Sequence, residues 1–241
     1  MADTHRAKVV IVGGGLAASR MAEQLRRAEH TGEIVIVSDE AHLPYDRPPL
    51  SKDVLHKDDL GFGDVTLKPQ EFYDENDITL KLGAAVTAVD TGTRTVALAD
   101  GSTVDYDELV IATGVVPKRI PSFPDLAGIH VLRNYDESQA LRAEAASARK
   151  AVVIGAGFIG CEVAASLRNL GVDVVLVEPQ PQPLASVLGE QIGALVTRLH
   201  RGEGVDVRTG VGVDEVRGAD RVQQVVLADG SEIDADLVIV G

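Results

Sequence analysis

Residues 8–15 read KVVIVGGG, and residues 150–157 read KAVVIGAG. Each is a short apolar run, rich in Val and Ile, that ends in glycines. A strand buried on both faces of a parallel sheet has this composition, because neither of its sides meets water. After the glycines the period changes. Leu16, Met21, Ala22, Leu25 and Ala28 in the first copy fall near one face of a helix, as do Phe158, Val163, Ala164, Leu167 and Leu170 in the second. Each copy then returns to a strand, at residues 34–37 and 172–177. Strand, glycine turn, helix and strand make a βαβ unit, and the chain carries two.

The repetition continues outward. Residues 98–101 and 227–230 both read LADG, and the apolar strands that follow run through Leu109 to Ile111 with Gly114, and through Leu237 to Ile239 with Gly241. Between the βαβ unit and this end, each half carries alternating β-type segments with Asp-Gly or Gly-Thr turns, which predicts a small antiparallel layer on the parallel sheet. Residues 117–124, PKRIPSFP, hold three prolines in eight positions. That density favours an extended connector. The expected fold is therefore α/β with two Rossmann-like domains, 1–117 and 118–241. The chain stops at Gly241 directly after an apolar strand, and is read as truncated.

Composition narrows the function. The 241 residues carry a formal charge of -14 with 45% hydrophobic and 25% charged residues, and the acids are spread along the chain. Nucleic-acid affinity comes largely from Lys and Arg on phosphates, so nucleic acid is excluded as a partner. No apolar run reaches the roughly 18 residues of a membrane span, and no signal peptide opens the chain, so a cytoplasmic protein is expected. Cys161 is the single cysteine, which rules out a CxxC redox pair within these residues. The histidines, His5, His30, His42, His56, His130 and His200, stand singly, and no metal site is expected.

The glycine turns carry the chemistry. Gly13-Gly14-Gly15-Leu16-Ala17-Ala18 fits GxGxxA, and Gly155-Ala156-Gly157-Phe158-Ile159-Gly160 fits GxGxxG. Such turns bring backbone N–H groups to a pyrophosphate at the positive end of the following helix, and the third small residue seats that helix on the strand. An acid follows the next strand in each copy, Asp39 or Glu40 and then Glu178. Glu178 suits both ribose hydroxyls of NADH and repels the 2′-phosphate of NADPH. Each turn thus predicts a dinucleotide site.

Residues 44–52, PYDRPPLSK, stiffen the backbone with three prolines. Pro49 starts a helix reading PLSKDVL and holds Lys52 near its beginning. This segment, Ala112-Thr113-Gly114, Leu132-Arg133 and GAGFIGCEVAASL at the second fingerprint together resemble the ferredoxin and rubredoxin reductases, flavoproteins that feed electrons to oxygenase systems; apoptosis-inducing factor shares their fold. The resemblance spans the chain. It implies FAD and NADH as cofactors and a small iron–sulfur protein, ferredoxin or rubredoxin, as partner. It implies that Gly13, Gly15, Leu16, Ala17 and Ala18 hold the FAD pyrophosphate and Asp39 or Glu40 its ribose. Arg47 and Lys52 would reach toward the phosphates and the flavin ring, Val86 the adenine, and Ala112, Thr113, Gly114 and Arg133 the flavin. Gly155, Gly157, Phe158, Ile159, Gly160 and Glu178 would hold NADH. Glu162 would pair with Lys52, one charge from each domain, aligning nicotinamide with flavin.

Two features depart from the family. Ser186 stands where many relatives have an arginine toward NADH, and the family continues beyond this point into more of its FAD domain and a C-terminal domain. A competing reading is a non-catalytic FAD- and NAD-binding module or an incompetent fragment. A flavin disulfide reductase is excluded for these residues, since no cysteine follows the first unit where the redox pair would stand.

Overall fold

The structure, a computed structural model, describes residues 6–241, so His5 lies outside it. The chain divides into two compact units, Met1–Asp46 with Gly61–Val115, and Arg47–Leu60 with Val116–Gly241. The sequence reading kept the proline-rich segment in the first domain and drew one boundary after residue 117. The division instead falls at Val115 and assigns Arg47–Leu60 to the second unit. Leu50, Val54 and Leu55 explain this, because all three are buried in that unit.

In the first unit, β1 (Val9–Val12) turns into α1 (Leu16–Arg27) and returns as β2 (Ile34–Val37). The excursion that follows holds a 3-10 turn, Pro48–Ser51, and a short helix α2 (Asp53–His56). The sequence predicted one continuous helix here; Lys52, at φ -119° and ψ -114°, breaks it in two. The chain comes back through α3 (Gln70–Glu75) to β3 (Ile78–Lys81), then β4 (Val86–Asp90), β5 (Thr95–Leu98), β6 (Thr103–Asp105) and β7 (Glu108–Ile111). A parallel sheet runs in the order β3-β2-β1-β7, and β4-β5-β6 form an antiparallel layer.

Strand alternation explains how four consecutive apolar residues are all buried. Val9 and Ile11 pack with Ala18 and Ala22 of α1 and Tyr73 of α3, while Val10 and Val12 pack with Val96, Leu98 and Val104 of the antiparallel layer. The face of α1 differs from the expected stripe. Its buried residues are Ala18, Ser19, Ala22 and Glu23, and Leu16 is 50% exposed. A helix pulled close to the sheet by a glycine turn makes contact through small side chains, and the large residues of its first turn are left outside. Glu23 is buried among Arg20, Arg27 and Lys68 at 2.7, 2.9 and 3.1 Å, and these cations hold its carboxyl below the usual range.

The second unit repeats the plan. Beyond the connector come β8 (Ile129–Val131), α4 (Tyr135–Ala145), β9 (Lys150–Ile154), α5 (Phe158–Asn169) and β10 (Asp173–Glu178). They are followed by α6 (Ala185–Leu188), α7 (Glu190–Gly202), β11 (Asp206–Thr209), β12 (Val213–Gly218), β13 (Val222–Leu227), β14 (Glu232–Asp234) and β15 (Leu237–Val240). The parallel sheet has the order β11-β10-β9-β15-β8, with β12-β13-β14 antiparallel. Residues 117–124 contain no helix or strand, and Ile120 and Phe123 pack on this unit's core.

The two LADG turns carry the same hydrogen bonds. Asp100 Oδ1 accepts from Ser102 N at 2.9 Å and Oγ at 2.7 Å, and Asp229 Oδ1 accepts from Ser231 N and Oγ at the same two distances. The last strands match with an offset. Ile111 lies opposite Val12, and Val240 lies opposite Ile154, so Gly241 corresponds to Ala112 and not to Gly114. Matching LVI to LVI by sequence misaligned the strands by one residue, because the pairing with β1 and β9, not letter identity, sets the register. β15 is flanked by β8, whereas β7 is an edge, with Ile111 62% exposed.

Candidate functional site

The first glycine turn is built for close approach on one side and open space on the other. Gly13 has φ +117°, and a Cβ there would lie 2.2 Å from the Ala112 carbonyl oxygen. A Cβ on Gly14 would meet Ser38 Oγ at 2.4 Å, but one on Gly15 meets nothing within 4 Å. Gly15 begins α1 without a side-chain cap, and no acid sits in the first turn. The first N–H groups of a helix lack intrahelical partners and form the positive end of its dipole. The start of α1 therefore presents bare donors beside free space, which fits a pyrophosphate.

The other residues predicted for this site are placed around it as follows. Ala18 is buried under α1, and Leu16 and Ala17 are exposed on its first turn. Ala112 donates to the Val12 carbonyl at 2.7 Å, and Thr113 and Gly114, the latter at φ +68°, continue from it. They leave the sheet between β1 and β7, where the strand order switches direction, the usual position for ligands on open α/β sheets. Asp39 is exposed beyond β2, and Glu40 accepts from Tyr45 Oη at 2.5 Å. Gly83 and Ala84 donate to the Glu40 and Ser38 carbonyls, so the backbone entering Val86 runs beside the two acids.

The second turn repeats this geometry. Gly155 has φ +95°, and a Cβ there would lie 2.6 Å from the Gly241 carbonyl oxygen. A Cβ on Gly160 would lie 2.0 Å from the Gly155 carbonyl oxygen, so only glycine lets α5 sit on the turn. Gly157 opens onto free space, and α5 starts without a side-chain cap or an acid. Phe158 and Ile159 are exposed on its first turn, although Phe158 was expected on the buried face. Glu178 ends β10 and is anchored. Its Oε2 accepts from Ala156 N at 2.7 Å and its Oε1 from Gln180 N at 2.8 Å. Ser186 is exposed on α6.

Cys161, buried under α5, is pushed up to about 11 by burial and then by the charges of Glu178 and Glu162, and is no nucleophile.

A third constellation lies wholly inside the second unit. Arg47, Pro48, Leu50, Ser51, Lys52, Leu132, Arg133, Ile159 and Glu162 line a cavity of about 320 Å³. Lys52 Nζ pairs with Glu162 Oε2 at 2.8 Å and donates to the Pro48 carbonyl at 3.0 Å. The sequence reading took this pair to join two domains. Both residues belong to one unit, because the proline-rich segment folds against α4 and α5. Ser138 Oγ donates to the Leu50 carbonyl at 2.8 Å and Ser166 Oγ to the Ser51 carbonyl at 2.7 Å, both buried.

Arg133 is placed by the cap of α4. Asn134 accepts from Glu137 N at 2.8 Å, and Glu137 accepts in return from Asn134 N at 3.1 Å and Arg133 N at 2.7 Å. Arg47 Nη1 donates to the Arg133 carbonyl at 2.7 Å, while the buried Arg133 Nε has no hydrogen-bond partner among the described residues. Three cations against one carboxylate make this cavity electropositive in an acidic protein. The three clamping serines, Ser51, Ser138 and Ser166, escaped the sequence reading. Their signal is a hydroxyl inside an apolar helical stripe, as Ser166 stands between Val163 and Leu167.

Among the described residues no group of three or more His, Cys, Asp or Glu could hold a metal ion, and no helix is long and apolar enough to cross a membrane.

Two glycine-hinged parallel βαβ units, each with an uncapped helix start, define a protein with two dinucleotide sites. The chain matches the family described as pyridine nucleotide-disulphide oxidoreductase over residues 7–241, and it belongs to that family. Within the family its likeness is to the ferredoxin reductases. It is 41% identical to a ferredoxin–NAD(P)(+) reductase of a Sphingomonas species, over 100% of this chain and 58% of the relative. A crystal structure of a ferredoxin reductase from Rhodopseudomonas palustris matches with TM-score 0.93 and 38% identity, over 97% of this chain and 58% of that one. The covalent putidaredoxin reductase–putidaredoxin complex matches with TM-score 0.93 and 34% identity, over 98% and 58%. The chain thus spans somewhat more than half the length of these relatives. The family name refers to disulphide chemistry, but Cys161 has no partner cysteine in this sequence.

Proposed function

We propose that this protein is a FAD-dependent reductase that takes a hydride from NADH and passes electrons singly to a small iron–sulfur protein, a ferredoxin or rubredoxin. The observation that carries the reading is the cavity in which Lys52 pairs with Glu162 while Arg47 and Arg133 keep it positive. Relatives named as ferredoxin reductases, similar over nearly the whole of this chain, support it.

Gly13, Gly15 and Ala18 are the residues that would hold the FAD pyrophosphate, with Glu40 or Asp39 toward its ribose. Gly155, Gly157 and Gly160 would hold the NADH pyrophosphate, and Glu178 its adenosine ribose. The flavin supplies the chemistry, since it takes electrons in pairs and releases them one at a time. The chain's own residues bind and align. Arg47, Lys52 and Arg133 provide a positive potential for electron-rich groups, Glu162 gives an acceptor for an amide or a cationic ring, and Ile159 excludes water from the cavity wall. Glu178 favours NADH over NADPH, because a carboxylate already tied to two amides at the ribose position repels an added phosphate. A cytoplasmic setting belongs to the same proposal, as NADH is regenerated there.

Purified protein loaded with FAD is expected to be yellow, to bleach anaerobically on addition of NADH, and then to reduce a ferredoxin or rubredoxin. Colourless protein that still binds NADH would point to the non-catalytic module, and bleaching faster with NADPH than with NADH would overturn the cofactor preference.

A further inference from the structure

Ser51 is held on one turn of α5 by two hydrogen bonds. Its hydroxyl donates to Glu162 Oε2 at 2.6 Å, and its carbonyl accepts from Ser166 Oγ at 2.7 Å. Residues 162 and 166 are four apart and share a helix face. Ser51 is 5% exposed, so its bond to Ser166 is made away from water, while the carboxylate that its hydroxyl meets stays partly exposed on the cavity. The Lys52 ammonium reaches the same oxygen, but the side chains of Lys52 and Glu162 are 46% and 31% exposed.

These numbers separate the two partners of Glu162. A lysine on a long, half-exposed stem gains little from an ion pair and fixes geometry poorly, because solvent screens it and several rotamers compete. A buried hydroxyl on a backbone that is itself pinned has few choices, and the other acceptor in its reach, the Pro48 carbonyl at 3.4 Å, is poorer than Glu162 Oε2 at 2.6 Å. A charge-assisted O–H···O⁻ bond of this length is also among the stronger kinds. Both donors converge on Oε2, and Oε1 has no hydrogen bond among the described residues, although Glu162 lines the cavity.

We infer that Ser51 is the positioning residue of this site: its hydroxyl locks the Glu162 carboxylate into the orientation that keeps Oε1 available to the nicotinamide end of NADH, while Lys52 supplies charge. The inference rests on the reductase reading above. Removing the hydroxyl leaves the Ser51 carbonyl bonded to Ser166, so the segment stays in place and the carboxylate is left with the Lys52 ion pair alone.

The test compares Ser51→Ala, Ser51→Thr, Glu162→Gln and the double variant Ser51→Ala/Glu162→Gln in FAD-loaded protein. The first readout is the ¹³C carboxyl resonance of Glu162, assigned by its loss in Glu162→Gln. The second is flavin bleaching across NADH concentrations. Ser51→Ala is expected to shift the resonance and to lower the bleaching rate at saturating NADH by about tenfold, the scale of one hydrogen bond to a charged group. Half-saturation should change much less, and Ser51→Thr should restore both readouts. With Glu162→Gln already present, losing the Ser51 hydroxyl should cost only about twofold to threefold, because the amide oxygen leaves it a neutral and weaker acceptor. An unmoved resonance, or the same fold loss with and without Glu162, overturns the inference. Unaltered protein that never bleaches sinks the reductase reading itself, whereas bleaching indifferent to Ser51→Ala sinks only the role of Ser51.

Discussion

Gly13 and Gly15 are two residues apart, and the structure gives them different tasks. Gly13 has φ +117° and a carbonyl oxygen 2.2 Å from where its Cβ would stand, whereas Gly15 has extended backbone and open space. Gly13→Ala is therefore expected to destabilise the fold by at least about 2 kcal/mol, since it combines a disfavoured φ with a backbone clash. Gly15→Ala should cost less than about 1 kcal/mol, the difference between Gly and Ala at a helix start. Urea unfolding of both variants checks the contrast. Cys161 gives a pH-dependent counterpart. Its folded value of about 11 lies above the 9.0 of an ordinary thiol, so its neutral form is favoured by folding. That contribution is complete below pH 9 and is lost as pH rises toward 11, on the order of 2 kcal/mol in all. A thiol reagent at pH 8 should label Cys161 only as fast as the protein opens.

At the scale of elements, serine clamps hold the proline-rich segment against α4 and α5. Ser138 Oγ and Ser166 Oγ each satisfy a buried carbonyl, of Leu50 and Ser51 respectively. Ser138→Ala leaves one of them unpaired and should lower stability by about 1–3 kcal/mol, measured by thermal unfolding. The bridge from Arg142 to Asp58 at 2.6 Å joins the same elements, but Asp58 is fully exposed. Asp58→Ala should leave the unfolding temperature nearly unchanged, since solvent screens an exposed pair. An equal loss from both changes would show that the clamp is not what holds the segment. The strands and helices themselves were readable from residues 8–15 and 150–157, because a glycine turn between an apolar run and a helical stripe is a local signal. The buried face was legible in part: Ala22 of α1 and Val163, Ala164 and Leu167 of α5 read as core and are buried, whereas Leu16 and Phe158 read as core by period but stand exposed on the first turns, and the stripe omitted Ala18, Ser19 and Glu23.

Across the whole molecule, the duplication explains most of the architecture, and the sequence showed it. What it concealed was ownership. Arg47–Leu60 follows the first βαβ unit in the chain but folds with the second, and the partners that decide this, α4 and α5, lie about a hundred residues downstream. The same nonlocality turned the Lys52–Glu162 pair from an expected bridge between domains into a contact within one unit, and it hid Ser51, whose significance depends on Glu162 and Ser166. The glycine turns were legible because an apolar strand before and a helix after mark them locally, although the carbonyls that crowd Gly13 and Gly155, those of Ala112 and Gly241, come from far along the chain. The central claim is that the two open glycine turns serve different dinucleotides, and Gly15→Ala and Gly157→Ala test it most directly, with FAD content and NADH affinity measured on each folded variant. The account requires Gly15→Ala to lose FAD while still binding NADH, and Gly157→Ala to retain FAD while its NADH affinity falls by about tenfold or more. Loss of both dinucleotides from a single substitution, or of neither from both, would contradict it.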